Sequence, residues 1–258
     1  MSGIAGIAAP GKRAKVERML RKIFHRGSAK PRIFEAAGAT LGVVAAKAAL
    51  PVKADKAVAV YVNSGHFAEA KIVGGRLRLR RDPLGISPLY YGFTPDGPMC
   101  FASEVKAMVE VTKNVKALPP GHSFDGSESK THFAIHAKEP VEAPPEAVAA
   151  ELRRRLDTAV KKSIRGDVMG SWLSGGLDSS SLAALARPHV RTLHTFAVGL
   201  KDAPDLEYAR EAAEYLQAEH HEIITTAEQM TAILPEVVYN LESFDALPVS
   251  YTHLTLPT

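Results

Sequence analysis

Cysteine and tryptophan are almost missing from this chain, with one of each in 258 residues. A lone Cys100 excludes an intrachain disulfide framework and suits a reducing compartment. Long apolar runs are missing too. Nothing approaches the roughly 20 residues of a membrane helix, and the first thirty residues hold no signal-peptide core. A cytoplasmic location without membrane association is therefore expected. One-sided charge is also lacking. Thirty-two Lys and Arg face 28 Asp and Glu, a net of +4, which does not require a nucleic-acid partner. There is no internal repeat or low-complexity tract. What remains, 46% apolar and 23% charged residues, is the composition of a soluble globular protein long enough for two ordinary domains.

The N-terminal part reads as many short strands. Ser2–Ile7 is an apolar, glycine-containing strand ended by Pro10-Gly11. Val16, Met19, Leu20 and Ile23 follow helical spacing from Lys12 to Phe24, with Gly27 as the expected stop. Strands are expected at 40–45, 57–62, 66–73, 76–80, 89–93 and 99–102, with Gly74-Gly75 as a hairpin turn. Composition and period change across 139–146, where we place a linker between residues 1–138 and 147–248. Beyond it, Val148, Leu152, Leu156, Val160 and Ile164 recur every four residues, as on a long helix. Strands at 168–173, 193–198 and 221–224 alternate with helices at 182–185, 206–218 and 227–241, which implies a parallel, doubly wound sheet. The tail 249–258 shows no helical period.

Between the first of these strands and its helix lies Ser174-Gly175-Gly176-Leu177-Asp178-Ser179-Ser180. Glycines let the backbone approach a ligand, and the N–H groups and dipole of the following helix face an anion. Ser174, Ser179 and Ser180 add hydroxyl donors. Asp178 would repel phosphate unless a cation intervened, so it points to Mg²⁺ or to helix capping. The loop lacks the lysine and spacing of a Walker A motif. Amides that hold pyrophosphate suit attack at the α-phosphorus of ATP, in which a carboxylate becomes an acyl-adenylate that an amine then opens.

At this point the chain resembles the glutamine-hydrolysing asparagine synthetases. The start Ser2-Gly3-Ile4-Ala5-Gly6-Ile7, the His25-Arg26-Gly27 motif, Arg81–Tyr91 with Phe101–Ala107, and Leu173–Ser180 with Phe196–Leu200 carry the likeness. The resemblance implies an α+β N-terminal-nucleophile-type αββα sandwich, which would release ammonia from glutamine. An α/β doubly wound parallel-sheet nucleotide domain, incomplete here, would follow it and adenylate the side chain of aspartate. Its ATP and pyrophosphate site would comprise Leu173, Ser174, Gly175, Gly176, Leu177, Asp178, Ser179, Ser180, Val198 and Gly199. Leu173 and Val198 would flank the adenine, and Asp178 would hold Mg²⁺. Implied partners are ATP, aspartate, and ammonia or glutamine; a homodimer is left open as the assembly.

The chain departs from that pattern in two places. Ser2 stands where the family has its nucleophilic cysteine, and thiolate is the better nucleophile near neutrality. The interval from Ala36 to His66 is shorter than the family's and lacks its glutamine-binding residues, Asn63 being the one candidate remnant. Loss of glutaminase activity is therefore expected. A second aspartate-binding loop is not found, and residues 249–258 do not follow the family. A β-lactam-synthetase-like ligase for another acid, and a non-catalytic nucleotide-binding remnant, remain alternatives. Elsewhere, Arg76, Arg78 and Arg80 share a strand face, read as solvated rather than as a polyanion site. His220 and His221 point to opposite faces and suggest no metal site. Trp172 and Cys100 read as core packing. Glu242 and Asp245 are surface or active-site carboxylates with equal claim.

Overall fold

The computed structural model describes residues 2–27, 29–36, 38–45, 59–63, 66–136, 139–140 and 142–242. The chain divides into two compact units, Met1–Lys138 and Glu139–Thr258.

In the first unit the order is β1 (Gly3–Ile7), α1 (Arg13–Lys22), β2 (Arg32–Ala36), β3 (Ala39–Val44), β4 (Ala59–Asn63), β5 (His66–Val73), β6 (Arg76–Arg81), β7 (Tyr90–Phe93), β8 (Met99–Ala102), α2 (Val105–Met108), β9 (Val115–Ala117), β10 (His122–Phe124) and β11 (Ser129–Thr131). These strands form two antiparallel sheets, a six-stranded one ordered β2-β3-β1-β8-β7-β9 and a five-stranded one ordered β11-β10-β6-β5-β4.

Alternation explains the layering. Ile4, Leu41, Val43 and Phe101 of the six-stranded sheet meet Ala70, Leu77, Leu79 and Phe124 of the five-stranded sheet in one core, as period-2 strands do when two inner faces pack. The other face of the six-stranded sheet buries Ala5, Ile7 and Cys100 against Val16, Met19 and Leu20 of α1 and Met108 of α2. Both described helices thus lie on one side, and none among the described residues covers the five-stranded sheet. Gly74 and Gly75 both take positive φ, 57° and 75°, and join β5 to β6 as the expected hairpin. Gly27 does not cap α1. The helix ends at Ile23, a 3₁₀ turn spans Phe24–Arg26, and Gly27 is extended.

The second unit runs α3 (Pro145–Ser163), β12 (Val168–Trp172), α4 (Leu177–Ala186), β13 (Thr192–Leu200), α5 (Pro204–Tyr215), β14 (Glu219–Thr225) and α6 (Ala227–Leu241). Its three strands are parallel, in the order β12-β13-β14. Leu173, Leu193 and Ala197 pack with Ala183 of α4 and with Leu206, Ala209 and Ala213 of α5. The opposite face leaves Val168, Trp172, Val198 and Ile223 about half exposed. Parallel sheets are ordinarily covered on both faces. Trp172 is therefore not core, as its apolar strand suggested. It is 51% exposed and meets Phe196 edge-on at 6.1 Å. The stripe Val148, Leu152 and Leu156 on α3 is likewise exposed. Asp245 and residues 249–258 lie outside the described residues.

Candidate functional site

The heptad sits at the carboxyl end of β12, the position where ligands meet open parallel sheets. Leu173 N donates to Phe196 O at 2.9 Å, which ties the end of β12 to β13. Chain direction then reverses through Ser174–Gly176 into α4. Gly175 has φ 75°, and a β-carbon there would lie 2.4 Å from Tyr208 Cβ and 2.5 Å from the Tyr208 carbonyl carbon. The loop is thus pressed against α5, and only glycine meets both demands. Gly176 is the N-cap of α4, where no side chain caps the helix. Its first-turn N–H groups consequently face outward, the arrangement that receives anions.

The loop hydroxyls are partly engaged. Ser179 Oγ accepts from Ser174 N at 3.2 Å and lies 3.0 Å from Ser174 Oγ. Ser180 N donates to Gly176 O at 3.1 Å, whereas Ser180 Oγ is buried without a hydrogen-bond partner. An orphaned hydroxyl beside an uncapped helix start is a polar group placed for something else to satisfy. Asp178 is exposed in the first turn of α4. Among the described residues no group of three His, Cys, Asp or Glu side chains suits a metal ion. Leu177 is exposed. Leu173 and Val198 are split by the sheet: Leu173 is buried in the core with Ala183, while Val198 is half exposed on the open face. Gly199 runs close to α5, where a β-carbon would lie 3.0 Å from Leu206 Cγ.

The other candidate, Ser2, is buried at the start of β1, and its Oγ has no partner. The motifs around it meet in a charge cluster that sequence reading did not find. Glu104, 3% exposed, receives the Arg26 guanidinium, His25 Nε2 at 2.9 Å and Lys106 Nζ at 2.5 Å. Burial alone would push the Glu104 carboxyl up; Arg26 and Lys106 outweigh it and hold the group below its ordinary value. The clue in the sequence was that one short motif, 25–27, is basic while another, 103–107, carries a carboxylate. The backbone of Ile4 is clamped beside them, its N–H donating to Ser103 Oγ at 2.9 Å while its carbonyl accepts from Ser103 N.

A second motif builds its own loop. The Asp82 carboxylate accepts from Leu84 N, Ile86 N and Ser87 N at 3.1, 3.1 and 2.8 Å. The Arg81 guanidinium donates to the carbonyls of Gly85, Ser87 and Leu118. Asn63 ends β4 opposite His66; much of the preceding interval lies outside the described residues. His220 and His221 do face opposite ways. His220 Nδ1 lies 2.8 Å from Thr195 Oγ1, while His221 stacks on Phe196 and lies 3.1 Å from His194.

Two family models match this chain: the glutamine amidotransferase domain over residues 60–134 and asparagine synthase over residues 151–256. The molecule thus joins a sandwich matched by the glutamine amidotransferase domain model to a parallel sheet matched by the asparagine synthase model. It belongs to the family of glutamine-hydrolysing asparagine synthetases. A probable glutamine-hydrolyzing asparagine synthetase of Dictyostelium discoideum is 35% identical over 194 residues, covering 66% of this chain and 34% of its own length. The enzyme of Zea mays is 38% identical over 183 residues, covering 66% and 31%. Asparagine synthetase B of Escherichia coli is 34% identical over 187 residues, covering 66% and 34%. The chain spans about a third of the length of these curated relatives. No helix among the described residues is long and apolar enough to cross a membrane.

Proposed function

We propose that this chain supplies the ATP-binding part of an asparagine-synthetase-type ligase, with residues 1–138 as a sandwich that no longer hydrolyses glutamine. The observation that carries the reading is the loop Ser174–Ser180. It joins a glycine pressed on Tyr208, an uncapped helix start and the orphaned Ser180 hydroxyl. Those groups suit the pyrophosphate portion of ATP. Asp178 is the residue fitted to a Mg²⁺ shared with the phosphates, and it is one carboxylate only, so the other ligands would come from phosphate and water.

In this chemistry an oxygen of the aspartate side-chain carboxylate attacks the α-phosphorus, and pyrophosphate leaves. Ammonia then attacks the acyl carbon, and AMP leaves. The α4 amides hold the departing charge, which is where electrostatic stabilisation counts most. Val198 and Gly199, on the strand beside the loop, would border the nucleotide base. Leu173 contributes through its backbone, because its side chain belongs to the core.

Loss of glutamine hydrolysis is favoured by Ser2. A buried hydroxyl without a hydrogen-bond partner is a weak nucleophile near neutrality, and Ser2 would carry a free α-amine as its base only once Met1 is removed. ATP–pyrophosphate exchange, measured with aspartate and with a panel of other carboxylic acids, tests the ligase reading. Exchange stimulated by aspartate supports it. Exchange with another acid alone moves the chain toward the β-lactam-synthetase-like alternative, and none with any acid leaves a nucleotide-binding remnant. Ammonia release from glutamine above that of Ser2→Ala would overturn the silent-glutaminase part.

A further inference from the structure

The seam between β13 and β14 brings together side chains that the loop 174–180 does not use. The two strands are parallel, with His194 opposite Glu219 and Phe196 opposite His221. Alternation puts all four on one face of the sheet. There His194 Nδ1 lies 3.1 Å from His221 Nε2 and 3.4 Å from a Glu219 carboxylate oxygen. The two imidazole rings are 5.3 Å apart between centroids and tilted by 30°. His221 is held independently, stacked on Phe196 at 4.9 Å and 18°. The adjacent His220 takes no part, because it faces the other side and meets Thr195 Oγ1 and Glu222 there.

Two imidazole nitrogens converging from neighbouring strands are a donor pair for a metal ion. With Zn–N bonds of about 2.0–2.1 Å, two ligand atoms on a tetrahedral ion stand about 3.3–3.4 Å apart. The observed separation of 3.1 Å reaches that value by a slight turn of either ring. Without metal, one nitrogen donates its N–H to the other. For both to bind an ion, that proton moves to the ring nitrogen pointing away. Two neutral imidazoles then remain, each with a lone pair toward the ion, and no oxidant or reductant is involved.

The ligands narrow the choice of ion. Imidazole suits zinc and its first-row neighbours, whereas Mg²⁺ takes oxygen ligands. Among the described residues no third His, Cys, Asp or Glu completes a set of three as the side chains stand. The remaining positions therefore fall to water and to Glu219, whose side chain is 64% exposed and can turn toward the ion. We propose that His194 and His221 form a zinc site that clasps β13 to β14, with Glu219 supplying negative charge beside the ion. Within the sheet β14 pairs with β13 alone, so a bond across this seam acts on the strand with the fewest partners. An ion bound by the folded arrangement stabilises it by mass action.

Equilibrium dialysis of the full chain against Zn²⁺, after stripping with a chelator and with zinc read by atomic absorption, tests this. One zinc per chain that survives excess Mg²⁺ is expected. His194→Ala and His221→Ala should each weaken binding roughly tenfold or more, while the exposed His136→Ala should leave it unchanged. Zinc K-edge absorption on the unaltered chain should show imidazole nitrogens at about 2.0–2.1 Å, and it carries the test if a variant fails to fold. A chain that binds no zinc overturns the proposal. Zinc held equally well by both histidine variants does the same, as does an absorption spectrum with oxygen or sulfur neighbours and no imidazole.

Discussion

Gly175 and Tyr208, thirty-three positions apart, meet so closely that one added methyl at Gly175 would overlap Tyr208 backbone and side chain. The contact presses the loop 174–180 onto α5, and it fixes where the α4 N–H groups point. Gly175→Ala adds that overlap to a positive φ of 75°. It should cost about 1–3 kcal/mol in the second unit and reduce ATP–pyrophosphate exchange by an order of magnitude or more. Gly176→Ala, whose backbone is at an ordinary φ of −71° and whose added β-carbon would meet Ser174 Oγ at an ordinary 3.4 Å, should be tolerated far better. Equal damage from both would show that the loop is not held by this contact.

Glu104 joins Arg26, Lys106 and the His25 ring in a buried setting. Glu104→Gln leaves Arg26 and Lys106 without their counter-charge and should destabilise the first unit by about 3–5 kcal/mol. The sign with pH follows from the depressed carboxyl. Its stabilisation is fully present above the unfolded-state value, about 4.3 for Glu. It is lost as pH falls through the lower folded value. Wild type should therefore lose stability on acidification more steeply than Glu104→Gln, as denaturant midpoints from pH 7 down to 3 will show.

Asp82→Ala removes the acceptor for three backbone N–H groups at once. At about 1 kcal/mol for each bond left unmade, a loss near 3 kcal/mol is expected. Asp82→Asn should retain part of it. Urea melts followed by far-ultraviolet circular dichroism measure both.

Cys100 is fully buried, and desolvation pushes its thiol up to about 12. Native protein should resist a thiol reagent at pH 8 and react only as the unit opens. Rapid native labelling would contradict the packing described for the six-stranded sheet.

Ser2→Ala should change stability little, since the hydroxyl it removes has no partner. A thermal scan showing a large loss would mean that this hydroxyl is bonded in solution.

Much of this architecture was legible from period and turn chemistry. The hairpin at Gly74-Gly75, the strand 66–73 and the helix 227–241 were readable because each carries a local signal: paired glycines, alternation, or the Thr226–Gln229 capping box. The strands β9, β10 and β11 were not, being three residues long and mostly polar; long-range pairing decides such segments. Trp172 misled because an apolar residue on a strand says nothing about which face is covered. At the loop 174–180 the motif located the strand-to-helix turn, while the orphaned Ser180 hydroxyl and the division of Leu173 from Val198 by the sheet needed coordinates. The Glu104 cluster needed coordinates too: the basic motif at 25–27 and the carboxylate at 104 are visible in sequence, but nothing local pairs residues 78 positions apart.

Trp172 is the chain's one tryptophan, and it lies on the open face of the parallel sheet. Its fluorescence is consequently an optical channel for one unit alone. Excitation near 295 nm should follow the second unit's melting and be blind to the sandwich, whereas circular dichroism sums both. With separate cores, the two signals need not coincide. A half-exposed indole also shifts its emission when its surroundings dry out, so whatever comes to cover that face announces itself as a blue shift.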